Sequence, residues 1–147
     1  MKMKTQKSPI FVWLDIWEQK SMKTIFFSFL IIASVFVPGF EVFDDIGSAI
    51  KSGSSEGVAK YFSPMVDLTI LDKEGNYSKQ QATQILKDFL LKNPVKDFRI
   101  IHRGEAKDGS KYAIGTLTSS SGVFRVYFLL TKNGEKMLMQ QLRFEKE

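Results

Sequence analysis

A chain of 147 residues, 44% hydrophobic and 25% charged, has material for one globular domain and is too apolar to remain disordered. The absence of Cys excludes disulfides, thiolate catalysis and zinc ribbons, and the single His, His102, excludes a multi-histidine metal centre. Of the formal net charge of +5, most sits at the N-terminus, where Lys2, Lys4, Lys7, Lys20 and Lys23 outweigh Asp15 and Glu18, so the remainder is nearly balanced and gives no electrostatic argument for a nucleic-acid partner.

Met22–Gly39, MKTIFFSFLIIASVFVPG, has the form of a signal peptide: a short positive start at Lys23, an apolar run over Ile25–Val37, and Val37-Pro38-Gly39 before a cut at Phe40. As a helix that run would be about 20 Å long, against a hydrocarbon core of about 30 Å, which favours a cleaved signal over an anchor. Residues 1–21 carry Asp15 and Glu18 where a positive region belongs and read as an upstream extension outside the mature protein. The expectation is therefore export to the periplasm or the exterior, no stable membrane anchor after cleavage, and a single α+β domain over 40–147.

That domain opens with two short helical patterns. Phe43–Ser52 repeats Phe43, Ile46, Ala49 and Ile50 on one face and stops at Gly53; Ser55–Phe62 carries Val58, Tyr61 and Phe62 and stops at Pro64. Val66–Leu71 alternates as a strand, with a turn over Asp72–Asn76. Lys79–Lys92 is the clearest helix: Ser78 and Gln81 have capping-box spacing, Ala82, Ile85, Leu86, Phe89 and Leu90 form an apolar stripe, and Asn93-Pro94 ends it.

From Lys96 onward, strand-like runs are divided by Asp108-Gly109, Ser121-Gly122 and Asn133-Gly134, the signature of a four-stranded antiparallel meander. Simple alternation places Phe98, Ile100, His102 and Gly104 on one face of the first strand and Phe124, Val126, Phe128 and Leu130 on one face of the third. It places Leu138, Gln140, Leu142 and Phe144 on the inner face of the fourth, with Met137, Met139, Gln141 and Arg143 outside. The second strand, Tyr112–Thr118, is small on both faces and its orientation stays open. Three helices packed on the Phe-rich face of a curved sheet give an α+β fold.

This order of helix, helix, strand, helix and meander resembles the cone of the nuclear-transport-factor-2-like (cystatin-like) superfamily. "YAIGTL" at Tyr112–Leu117, "FRVYF" at Phe124–Phe128 and "QQLR" at Gln140–Arg143 resemble more closely a small secreted Bacteroidetes family of unknown function with that fold. The resemblance implies fold and address. It implies no activity, since the superfamily holds isomerases, dehydratases and hydrolases beside noncatalytic binding domains.

No phosphate loop, dinucleotide fingerprint or nucleophile elbow occurs in the sequence, and no cofactor is implied. Asp72–Asn76 has its glycine misplaced for a calcium loop, and Thr83 stands where such a loop needs its closing Glu, so it reads as a β-turn. His102 and Gln140 read either as hydrogen-bonded core residues or, with Tyr112, as polar groups orienting a small apolar ligand in the cone. Asp67 alternates away from Val66 and Leu68 toward solvent. Arg125, Tyr127 and Arg143 on the outer face read as a solvated ladder or as contacts to a protein partner, and Tyr127, Leu129, Met137 and Met139 as an apolar patch for a homodimer. The expected function is a secreted noncatalytic binding or interaction module; the alternative is an isomerase or dehydratase using His102, for which no second ionisable group stands on the same face. The abundance of inward Phe residues predicts a filled or only partly hollow cone.

Overall fold

In the computed structural model, residues 41–147 are described, and the extension and signal peptide read at 1–39 lie outside them. Helices α1 (Glu41–Lys51) and α2 (Ser55–Ala59) lead into strands β1 (Phe62–Ile70) and β2 (Lys73–Ser78). Helix α3 (Lys79–Lys92) follows, then β3 (Val95–Glu105), β4 (Lys111–Ser119), β5 (Gly122–Asn133) and β6 (Lys136–Lys146). None of these helices is long and apolar enough to cross a membrane.

The six strands form one sheet in the order β2-β1-β6-β5-β4-β3. The last four pair antiparallel in sequence, as the turn dipeptides predict, and Gly109 and Gly134 adopt the positive φ (79° and 64°) that such tight turns require. β1 joins β6 in parallel, which makes the sheet mixed. The largest boundary differences from the sequence reading fall at α2 and β1. The second helix ends at Ala59 instead of Phe62, and β1 starts at Phe62 with Pro64 inside it. Pro64 is tolerated because it falls in the irregular stretch between the Phe62 and Asp67 pairings with β6, where no regular ladder needs its missing N–H. The expected turn over Asp72–Asn76 is mostly strand: β2 pairs with β1 from Lys73 to Ser78, and only Leu71 and Asp72 turn the hairpin.

Helix α3 keeps its predicted bounds. Ser78 Oγ accepts from the Gln81 N–H at 3.3 Å while Gln81 Oε1 accepts from the Ser78 N–H at 3.1 Å, so two backbone donors at the helix start are satisfied. Its buried stripe of Ala82, Leu86, Phe89 and Leu90 lies on the sheet, with Phe89 4.9 Å from Phe144 and 5.3 Å from Phe124 between ring centroids. α1 covers the rest of the inner face: Phe43 meets Phe128 at 5.8 Å, and Lys51 Nζ bonds Asp97 Oδ1 at 2.9 Å. That ammonium, helped by Arg99, holds the Asp97 carboxyl below its ordinary range. Phe128 is thus roofed by α1, whereas Phe124 and Phe144 are roofed by α3. Phe43, Phe62, Phe128 and Phe144 are all but completely buried, so the centre of the cone is filled by Phe side chains. Among the described residues, the buried core runs from Phe43 to Phe144.

Two bulges reverse the expected facing of side chains. In β3 the pairing with β4 shifts between Ile100 and His102, so Ile101 is an extra residue, His102 pairs with Ile114 on the outer face, and Arg103 takes the inward place. Arg103 there reaches Asp44 of α1 and lies 5.7 Å over the Phe43 ring. In β6 the register shifts between Leu129 and Leu130, leaving Gln140 in the bulge and exposed. Met139 is consequently fully buried and Met137 is half-buried against the core, so these two do not belong to the outer patch.

Candidate functional site

A concavity lies between the β1–β2 hairpin and the C-terminal half of α3. α3 contributes Ile85, Asp88, Phe89, Lys92 and Asn93, one helical stripe at i, i+3, i+4, i+7 and i+8. The facing wall comes from Leu68 and Ile70 of β1 and Tyr77 of β2, which share the inner side because Leu68 pairs with Gly75 and Val66 with Tyr77. Gly75 is required there: a Cβ would stand 2.7 Å from the Tyr77 ring, which lies over its backbone. The groove encloses about 470 Å³ and is open along one side.

Its floor is apolar and its rim is charged. Leu68 and Phe89 are buried at the bottom, with Ile70, Ile85 and Tyr77 half-buried above them. At the rim, Asp88 Oδ1 accepts from Gln84 Nε2 at 2.9 Å, and Asn93 is committed on both sides, donating to the Phe89 carbonyl and accepting from the Ser121 hydroxyl. Lys73 and Lys92 complete the edge. The hairpin tip is held by the Leu71 N–H, which donates to the Phe144 carbonyl at 2.8 Å. Leu71 itself sits at φ 55°, a left-handed conformation that costs a branched side chain of order 1 kcal/mol, and it leaves this side chain 43% exposed beside the groove. The arrangement can shelter an apolar group from water and offer ions of both signs to its polar end. It contains no nucleophile and base in contact.

The residues singled out from the sequence stand elsewhere. His102 and Tyr112 are brought together, with 3.4 Å between His102 Nε2 and the Tyr112 hydroxyl, but on the outer face of the sheet. Tyr112 lies against Gly104, whose Cβ would be 2.3 Å from its ring, and its centroid is 6.2 Å from that of Tyr127. Gln140 projects to solvent from β6 and does not join them. Arg125, Tyr127 and Arg143 share that outer face as expected, Arg125 pairing with Glu147 at 3.4 Å and Arg143 with Glu74 at 3.7 Å. Asp67 is exposed and accepts from the Asn76 amide. The groove itself was not foreseen, because one of its walls is the strand read as a turn; the stripe of Ile85 and Phe89 facing the alternation of Leu68 and Ile70 was the available signal.

Residues 43–145 match the sequence profile of a family described as a domain of unknown function, DUF4783. A solved DUF4783 structure from Bacteroides ovatus is 35% identical over 70% of this chain and 93% of its own, with a TM-score of 0.67. One from Bacteroides uniformis is 31% identical over 76% and 97%, also at 0.67. At the level of fold alone, a nuclear-transport-factor-2-like protein of unknown function from Shewanella baltica, 17% identical, aligns over 73% of this chain and 89% of its own with a TM-score of 0.56. A cystatin-like domain of unknown function from Nostoc punctiforme, 14% identical, aligns over 71% and 72% at the same score. No curated protein matches the chain. With the family profile spanning nearly all of the described domain, the chain belongs to the DUF4783 family, on the nuclear-transport-factor-2-like, cystatin-like fold that its sequence resembles.

Proposed function

We propose that the domain is an exported, noncatalytic binding module that takes the apolar part of a small ligand into the groove between the β1–β2 hairpin and α3. One observation carries this reading: beside a core packed with Phe side chains, a half-open hollow of about 470 Å³ leaves Ile70, Ile85 and Tyr77 half-exposed above a floor of Leu68 and Phe89. That volume falls within the range of ordinary ligand sites, roughly 300–1,000 Å³, and the mixture of apolar floor and few polar rim groups is their usual chemistry. His102 lies outside this groove, which leaves the alternative of a pocket-histidine enzyme without a supporting observation.

Fluorescence titration with 8-anilinonaphthalene-1-sulfonate tests the groove. The folded protein should show saturable binding at one site, and Ile85→Glu, which introduces a charge at a half-buried position, should abolish it while the melting temperature stays within a few degrees. Equal binding by the Ile85→Glu variant would remove the groove as the site. Export rests on Lys23, the apolar run Ile25–Val37 and Gly39. Intact mass of the protein recovered from the periplasmic or extracellular fraction should correspond to a chain starting near Phe40, and a cytoplasmic product retaining Met1 or Met22 would contradict it.

A further inference from the structure

The charged residues of the groove gather at one end of it. β2 passes directly into α3 at Ser78, so the helix starts at the base of the β1–β2 hairpin and its last turn arrives at the tip. The contacts agree: Phe89 packs on Phe144, which pairs with Ile70 and whose carbonyl accepts from the Leu71 N–H. Asp72 and Lys73 of the hairpin therefore face Asp88 and Lys92 of α3, each wall presenting one carboxylate and one ammonium group. All of these side chains are exposed, and none is in an ion pair among the described residues. Asp88 and Lys92 have the i, i+4 spacing at which such a pair closes on a helix, yet Asp88 accepts from the Gln84 amide instead. Away from the tip the lining turns apolar, through Phe89 to Leu68, Ile85 and Tyr77.

We propose that the ligand of this groove is a free α-amino acid with an apolar side chain, a ligand class that rests on the groove being a binding site. Such a molecule carries an ammonium and a carboxylate on one carbon and an apolar body beside them. Each part meets its complement: Asp72 and Asp88 for the ammonium, Lys73 and Lys92 for the carboxylate, and Ile85 and Phe89 for the side chain. A plain carboxylate or a plain amine of the same size leaves two like charges facing its head group, and like-charge juxtaposition rejects a ligand as effectively as attraction selects one. A peptide fits no better, because its two terminal charges sit on different residues. Leu71 supplies a separate observation. It is the one non-glycine residue at positive φ among the described residues, and it takes no part in the core. Backbone strain of this kind collects at ligand clamps, and here it holds an exposed apolar side chain on the groove lining next to the charged end.

Titration of the nitrogen-15-labelled protein with L-phenylalanine, phenethylamine and 3-phenylpropionate, which share one apolar body, tests the ligand class. Saturable amide shifts at Leu71, Ile85 and Phe89 are expected at millimolar concentrations. L-Phenylalanine should bind at least about fivefold tighter than either single-charge analogue, the factor that one exposed ion pair supplies. Replacing both lysines, Lys73→Gln with Lys92→Gln, should erase the advantage over phenethylamine without weakening phenethylamine itself. Asp72→Asn with Asp88→Asn should erase the advantage over 3-phenylpropionate in the same way. Leu71→Gly, which suits the left-handed backbone, should weaken all three probes by a similar factor while the melting temperature stays within a few degrees of the parent's. Equal binding of the three probes, no binding of L-phenylalanine, shifts that spare the groove, or parent-strength binding by Leu71→Gly would each overturn the inference. Saturable dye binding that Ile85→Glu abolishes would in those cases keep the groove as a binding site, whereas its absence would remove both readings.

Discussion

The Val126→Asp variant should fail to fold. Val126 is fully buried in the middle of β5, between Gly115 of β4 and Phe144 of β6, on the face that α1 and α3 cover. An ionised carboxylate in that position has only apolar cross-strand neighbours, Gly115 and Phe144, and burying it without a partner costs several kcal/mol, comparable with the whole stability of a typical domain of this size, about 5–15 kcal/mol. Amide dispersion in a proton–nitrogen correlation spectrum is the measurement; collapsed or absent dispersion is the expected result. The neighbouring substitution Tyr127→Asp, one residue along and on the opposite face, should leave the dispersion intact. A soluble Val126→Asp protein with a cooperative melt would contradict the facing assigned to β5.

Phe89→Ala should be the most damaging truncation in the helical layer. The ring is 5% exposed, packs at 4.9 Å and 5.3 Å on Phe144 and Phe124, and joins α3 to β5 and β6 at once. Removing a buried Phe costs about 3–5 kcal/mol, which for a domain near 100 residues corresponds to a fall of roughly 15 °C or more in melting temperature. Because Phe89 is also the floor of the groove, this variant should lose both stability and dye binding, whereas Ile85→Glu loses binding alone. Thermal melts of the two variants side by side separate the structural from the binding contribution. A Phe89→Ala melt within a few degrees of the parent would show that α3 is not anchored there.

The parts of this fold legible in the sequence are those written in neighbouring residues. The capping box at Ser78 and Gln81, the stripe ending at Leu90, and the turn dipeptides at Asp108-Gly109 and Asn133-Gly134 each encode a local structure, and each is present. β2 escaped because Lys73–Ser78 has almost no β-branched or aromatic residue besides Tyr77; its strand character comes from pairing with β1 at the sheet edge, where one neighbour suffices. The candidate site was misread for a different reason. Period-two alternation carries no information about an inserted residue, so one extra residue at Ile101 and another at Gln140 turned His102 and Gln140 outward and Arg103 and Met139 inward. The same arithmetic that exposes His102 supplies the inner layer with an arginine held by Asp44.

The parallel pairing of β1 with β6 has a consequence for the order of events after synthesis. The hairpin of β1 and β2 adjoins only β6, and β6, which follows all the other described strands in the sequence, is what separates it from the meander of β3, β4 and β5. Until Lys136–Lys146 has emerged, two fragments of sheet exist with an unfilled slot between them, and Phe89 lacks its contact with Phe144. A chain elongating at about 5–20 residues per second therefore completes this sheet only once β6 is available, through contacts between strands far apart in the sequence. The sheet stays in two parts until β6 is free to enter it, and removing β6 would split the domain in two.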